Sequence, residues 1–202
     1  YSAFHSLLPR YWLPLVGQND FGDYTVGAYT SGNDIVGRHA YAVQALVDFT
    51  RHQHTGAATY RYSRLGQPVL QADVNQYWDS FNALDSGGAF VGNLFRRSRD
   101  FDLSMTFNRP RVRTNAFLSF TGTYELRDYT TDPPSLIDDI IGLEDPHRQY
   151  WLLTTSAGWS NVQQPALSIS PEDGISISAT GRIRWLEGSG PPASRSVSTA
   201  LS

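Results

Sequence analysis

Hydrophobic and polar residues alternate along most of this chain, in about nine or ten segments separated by turn-forming residues. The clearest segment is 174–187, where Ile177 and Ile183 occupy one set of alternate positions and Arg182 and Arg184 occupy the other. Successive side chains on a β-strand point to opposite faces, so such a segment has one apolar and one hydrophilic face. The pattern therefore predicts an all-β chain of antiparallel strands.

Repetition of this alternation on long strands, with aromatic residues near strand ends, is typical of an up-and-down transmembrane β-barrel. In such a barrel the apolar band faces lipid and the polar residues face the lumen. The segment 113–128 is longer than the roughly 9–11 residues that a tilted strand needs to cross a bilayer. We therefore expect residues 1–202 to form a single β-barrel domain, as part or most of a barrel.

Two connections between the predicted strands are distinctive. Residues 96–100 (Arg-Arg-Ser-Arg-Asp) are predicted to form a charged turn between two short strands. Residues 129–147 are predicted to form one long loop rich in proline and acidic residues, with a short helix at 135–142 that Ser135 would cap. Long loops at one mouth and short turns at the other suit a membrane barrel.

Composition excludes several classes of protein and leaves a barrel open. The mean hydropathy of −0.35 gives no membrane signal, as expected where half of every strand is polar. The sequence contains no apolar run long enough for a transmembrane helix. It also contains no cysteine, which excludes disulfides and thiol chemistry. A net charge of −3 without a basic tract disfavours a nucleic-acid partner.

Both ends of the sequence look truncated. It begins without methionine or a signal peptide and stops inside what looks like a new strand, so we expect a piece of a longer secreted protein.

Three short phrases carry a family resemblance: 6–14 (Ser-Leu-Leu-Pro-Arg-Tyr-Trp-Leu-Pro), 37–41 (Gly-Arg-His-Ala-Tyr) and 168–174 (Ser-Ile-Ser-Pro-Glu-Asp-Gly). Together they resemble the C-terminal barrels of bacterial outer-membrane proteins of the surface-antigen (Omp85-like) type. The likeness is greatest to barrels that follow a TolB-like β-propeller. It implies a location in the bacterial outer membrane, outer-membrane lipid as a partner and an N-terminal propeller domain in the periplasm of the full-length protein. It implies no reaction.

The last of these phrases contains a family-like turn, which consists of Ser170, Pro171, Glu172, Asp173 and Gly174. Proline presets the backbone for a turn, aspartate bonds nearby backbone groups and glycine takes the left-handed conformation. The turn is either generic or a periplasmic turn that marks the family.

Charged residues on the polar strand faces are candidates to face the lumen. They are Arg61, Asp73, Asp102, Glu125, Arg127, Arg182 and Arg184. They either order water and select solutes in an open lumen, or pair with one another inside a filled barrel. We expect pairing, because buried charges are usually paired.

Other candidate sites have weaker signals. A hydrolase site at a barrel mouth would use His39 as base, Asp34 to orient it and Ser31 as nucleophile. No nucleophile-elbow motif accompanies these residues. His52 and His54 have no third metal ligand nearby. Calcium binding by the acidic loop would use the four carboxylates of Asp138, Asp139, Glu144 and Asp145. We expect ordinary turn and loop residues at all of these positions, and no catalytic, cofactor or metal site.

The expected function is that of an outer-membrane barrel, acting as an anchor or in the passage or assembly of polypeptide or solute, and not of an enzyme. Alternation alone does not distinguish the inside of a barrel from its outside. Two alternatives therefore stay open: a soluble β-barrel or sandwich that binds an apolar ligand in its interior, and a barrel-mouth hydrolase.

Overall fold

The structure, a computed structural model, describes residues 7–19, 22–84, 87–139, 146–162, 174–187 and 194–201. Ten strands account for most of these residues: β1 (Leu13–Gln18), β2 (Tyr24–Asn33), β3 (His39–Asp48), β4 (Gln53–Tyr62), β5 (Val69–Leu84), β6 (Phe90–Pro110), β7 (Asn115–Asp132), β8 (His147–Ser160), β9 (Ser176–Leu186) and β10 (Ser194–Leu201). A 3₁₀ helix spans Pro134–Asp139. Among the described residues, no helix has the length and apolar character that a membrane crossing requires.

All ten strands belong to one antiparallel sheet, and each strand pairs with its neighbours in the sequence. The prediction of an all-β, antiparallel, up-and-down chain of about ten strands is confirmed. Within the described residues, β1 and β10 form the two edges of the sheet, and each pairs with a single strand.

The strand register separates the sheet into two faces of different chemistry. Phe101 of β6 pairs with Val74 of β5 and Tyr124 of β7, and we call their side the apolar face. Asp102, the next residue, pairs with Asp73 and Thr123, and we call their side the polar face. A slip of one residue would exchange the two faces, so the alternation of the sequence fixes this register.

The apolar face of the sheet is exposed along its middle. Leu103, in the middle of β6, is 66% exposed, and Leu118, Phe120 and Ile177 are exposed as well. Among the described residues, only Phe95, Tyr150 and Leu152 are buried hydrophobic side chains. The described chain therefore has no conventional apolar core that would cover this face.

The predicted charged turn at 96–100 is wrong, because β6 runs through it without a break from Phe90 to Pro110. Its arginines find carboxylates on the neighbouring strands: Arg96 pairs with Asp79 of β5, and Arg97 and Arg99 pair with Asp128 of β7. Since cross-strand pairs satisfy these charges, the run does not need the solvent that a turn provides.

The predicted loop 129–147 is shorter than expected. β7 continues to Asp132, and β8 begins at His147. The N–H of Tyr129 donates to the carbonyl of Pro146 at 2.9 Å, which joins the two sides of the connection. The short helix expected at 135–142 is a 3₁₀ helix over Pro134–Asp139, and 140–145 lie outside the described residues.

Candidate functional site

All seven charged residues predicted to share a polar surface lie on the polar face. Arg61 pairs with Gln71 in the β4–β5 register, and Asp73 pairs with Asp102 in the β5–β6 register. The same rows of paired residues continue across β7 and β8 to Arg182 and Arg184 of β9. The acidic members therefore lie on β5 to β7, and arginines lie on both sides of them.

Three of the seven form one buried network around Glu125, whose side chain is almost fully enclosed. Its carboxylate accepts hydrogen bonds from Arg127 on its own strand and, at 2.7 Å, from Nη2 of Arg184 on β9. The ring of Tyr150, on the strand between them, lies 3.7 Å from the Arg184 guanidinium and 5.3 Å from that of Arg127. Paired charges and cation–π contacts thus link three strands across the polar face.

The other four candidates are arranged differently. Asp73 and Asp102 lie directly opposite each other and are hydrogen-bonded by neutral donors: Thr59 at 2.7 Å from Asp73, and Thr123 to Asp102. Arg61 and Arg182 are exposed and form no ion pair with any other residue in the described part of the chain. The expectation of paired charges holds for the Glu125 network only.

The apolar face carries a band of uncharged side chains that is nine residues long on several strands. On β8 it runs from Trp151 to Trp159, and on β9 from Ile177 to Trp185. On β5 it runs from Leu70 to Trp78. Within these three segments, every side chain on the apolar face is uncharged, and an aromatic residue ends each segment.

The edges of the band on β8 and β9 lie opposite each other, since Trp151 pairs with Trp185, but those on β5 and β8 are displaced along the strands. Trp78 on β5 is aligned, through its paired residues on β6 and β7, with His147 on β8. His147 lies four residues before Trp151, where the band on β8 begins. Leu70, at the other end of the band on β5, is aligned in the same way with Thr155 on β8. Thr155 lies four residues before Trp159, where the band on β8 ends. Four residues correspond to about 13 Å along a strand.

Beyond the aromatic edge, the apolar face carries a charged group that we call the Asp128 cluster: Arg97, Arg99, Asp128 and His147. Oδ2 of Asp128 accepts from Nη2 of Arg97 at 2.6 Å and from Nη2 of Arg99 at 2.7 Å. Its Oδ1 lies 2.8 Å from Nδ1 of His147. The Arg97 guanidinium also lies 5.6 Å from the ring centroid of Trp78, at the edge of the band.

These contacts determine the charge state of Asp128, whose side chain is only 13% exposed. Burial acts to raise its pKa, but the hydrogen bonds from His147 and Arg97 and the charges of Arg97 and Arg99 outweigh burial. The pKa of Asp128 is therefore lower than the usual value for aspartate.

The three residues of the hydrolase alternative are not brought together. Oδ1 of the buried Asp34 accepts the backbone N–H groups of Arg38 and His39, which closes the β2–β3 turn. Nδ1 of His39 lies 2.6 Å from the hydroxyl of Tyr60. Ser31 pairs with Ala42 on the polar face, whereas His39 pairs with Tyr62 on the apolar face. The two side chains thus point to opposite sides of the sheet.

The histidine pair and the acidic loop do not form a metal centre in the described residues. His52 lies in the turn before β4 with a φ of 54°, and His54 lies on β4. No group of three or more potential ligands occurs among the residues that the structure describes. Glu144, Asp145 and the side chains of Asp138 and Asp139 lie outside those residues.

Of the family-like turn, only Gly174 lies within the described residues; Ser170, Pro171, Glu172 and Asp173 do not. Gly174 has a φ of 129°, and a Cβ added there would lie 2.5 Å from Cα of Val162. Glycine is therefore required at this position.

Sequence reasoning missed Tyr150 and the Asp128 cluster. The sequence does contain a signal for the cluster: Arg97 and Arg99 occupy the same alternate positions as Phe101 and Leu103, so all four side chains point to one face of the strand. No protein-family model matches this chain, and neither the curated proteins nor the solved structures contain a match.

Proposed function

We propose that this chain forms the wall of a β-barrel in a bacterial outer membrane, where it anchors the protein and lines a passage or assembly site for solute or polypeptide. The nine-residue apolar band carries this proposal. A transmembrane strand needs roughly 9–11 residues. The length of the band on β5, β8 and β9 agrees with this value.

Exposure of the band gives a second argument. Side chains such as Leu103 and Ile177 remain exposed in the folded sheet. In water this arrangement is unfavourable, at about 25 cal/mol for each Å² of apolar surface. Hydrocarbon removes that cost, and tryptophan and tyrosine at the band edges suit the membrane interface.

The polar face supports an aqueous interior. Arg61 and Arg182 are exposed there, and Glu125, Arg127 and Arg184 are paired as expected in a polar lumen. The resemblance to surface-antigen barrels adds the outer membrane as the location and a periplasmic N-terminal domain as an attached partner. We propose no catalytic role.

Flotation with lipid vesicles tests the proposal. The full chain is refolded with phosphatidylcholine vesicles, floated through a sucrose gradient and extracted with alkaline carbonate. It is expected to float and to resist extraction, whereas a variant with Leu103→Arg and Leu153→Arg in the middle of the band is expected to stay at the bottom. A chain that is soluble and monomeric without detergent or lipid, and that takes up an apolar dye, would instead be the soluble apolar-ligand barrel.

A further inference from the structure

The Asp128 cluster lies on the apolar face but outside the apolar band. Asp128 is four residues beyond Tyr124, which pairs with Trp151 at the edge of the band. Four residues of a strand extend about 13 Å. In the proposed membrane orientation, side chains at this distance from the aromatic edge lie at the level of the lipid headgroups.

The cluster has an excess of positive charge. Two arginines share the single carboxylate of Asp128, so the group has a net positive charge whether or not His147 is protonated. Both guanidinium groups are about one-third exposed, and only Nε and Nη2 of Arg97 and Nη2 of Arg99 donate to Asp128. The two arginines therefore have N–H donors left for an anion.

The geometry also prepares these arginines for a phosphate. Asp128 binds both guanidinium groups at 2.6–2.7 Å, and Trp78 stacks against Arg97, so neither side chain has to be ordered when a ligand binds. Planar guanidinium groups match the oxygen geometry of a phosphate ester. Preorganised donors lose little entropy on binding.

We infer that Arg97 and Arg99, held by Asp128, bind the phosphate of an anionic lipid headgroup at the outer edge of the apolar band. This inference rests on the proposed membrane location.

Quenching of tryptophan fluorescence by brominated lipids tests the site, because Trp78 lies beneath Arg97. The full chain is reconstituted with brominated phosphatidylcholine or brominated phosphatidic acid, and the relative association of the two lipids is measured. We expect a preference for phosphatidic acid of about fivefold or more. The double variant Arg97→Gln with Arg99→Gln is expected to lose the preference. A matched double variant on the polar face, Arg61→Gln with Arg182→Gln, is expected to keep it.

A triple variant controls for the possibility that the double variant loses the lipid preference because it misfolds. Arg97→Gln and Arg99→Gln leave the carboxylate of Asp128 without its cations, so Asp128→Asn is added to remove the unpaired charge. The triple variant is also expected to lose the preference while its tryptophans remain quenched by brominated phosphatidylcholine.

Five outcomes would overturn the inference. Equal quenching of the wild-type chain by both lipids removes the phosphate site and leaves the membrane proposal intact. A preference that survives in the triple variant, or disappears in the polar-face control, places the binding elsewhere. Equal quenching by both lipids, together with a change of tryptophan fluorescence on addition of inorganic phosphate that the triple variant lacks, assigns the site to free phosphate. Absence of quenching by either lipid contradicts the proposed function itself.

Discussion

Glu125 on β7 and Arg184 on β9 are joined by a 2.7 Å ion pair that passes over the intervening strand β8. The ring of Tyr150 supports the Arg184 guanidinium from below, and Arg127 binds the other carboxylate oxygen. Each strand of the sheet otherwise pairs only with its neighbours. This contact therefore links β7 directly to β9, which the backbone hydrogen bonds of the sheet do not do.

Replacement of Glu125 by glutamine is expected to lower the free energy of unfolding by about 2–4 kcal/mol, because Arg127 and Arg184 would lose their shared carboxylate in a part-buried site. Urea unfolding in detergent micelles or vesicles measures the change. Arg61→Gln, on the same face but without an ion pair, is the matched control and is expected to change stability by less than about 0.5 kcal/mol. Equal effects of the two substitutions would show that the network does not stabilise the sheet.

The Asp128 cluster predicts a dependence of stability on acid pH. Because the pKa of Asp128 is lower in the folded chain than in the unfolded chain, its ionised form favours folding. This contribution is complete above the unfolded pKa of about 3.9 and is lost as the pH falls through the lower folded pKa. Because His147 contacts the same carboxylate, both proteins carry His147→Gln, and on that background the stability difference made by Asp128→Asn should be constant from neutral pH to about pH 5.

Below about pH 4 this stability difference should shrink, since the carboxylate of Asp128 then becomes protonated. Urea unfolding of both proteins across the acid range checks the prediction. A difference that grows on acidification would mean that the pKa of Asp128 is raised by folding.

A single arginine in the apolar band reports on the surroundings of that face. Leu103 is exposed in the structure, so Leu103→Arg would cost little if the face met water. Facing hydrocarbon near the bilayer midplane, the same substitution should cost about 2–4 kcal/mol. Unfolding from vesicles measures the cost, with Val112→Arg in the exposed β6–β7 turn as the control. If Leu103→Arg lowered the free energy of unfolding by no more than Val112→Arg does, the result would contradict a lipid-facing band.

Two glycines provide a matched test of the strand packing. A Cβ at Gly27 on β2 would collide with the carbonyl of Ala45 on β3, and it would lie 2.8 Å from Cα of Leu46. These are backbone atoms that cannot rotate away, so Gly27→Ala should destabilise the chain by about 1–3 kcal/mol. At Gly122 a Cβ would meet open space, and Gly122→Ala should leave stability almost unchanged. Similar melting temperatures for the two variants would contradict the close approach of β2 and β3.

The fold was largely predictable from the sequence because alternation is a local signal. Segments such as 174–187 reveal a strand without reference to any neighbour, and β9 occupies most of that segment. The continuity of β6 was not predictable in the same way. A run of charges at 96–100 is typical of a turn, and only the carboxylates of Asp79 and Asp128 on neighbouring strands make it a strand. Those partners lie 17 to 31 residues away in the sequence.

The candidate site was predictable by face but not by contact. The alternation of the sequence predicted that Glu125 and Arg184 lie on the polar side of their strands, and the register shows that both lie on the same face of the sheet. Their pairing depends on which residues come opposite one another across three strands, which alternation does not specify. For the same reason the sequence did not distinguish Arg184, which is paired, from Arg182, which is exposed.

A spin-label scan along β7 tests the central claim most directly. The chain has no cysteine, so single cysteine substitutions from Phe117 to Tyr124 carry one label each without background. In phosphatidylcholine vesicles, labels at Leu118, Phe120, Gly122 and Tyr124 should collide with oxygen dissolved in the lipid, and labels at the alternate positions with a water-soluble nickel complex. The reverse period, with the apolar positions shielded from both reagents and the polar positions open to water, would contradict the claim that the apolar face meets lipid.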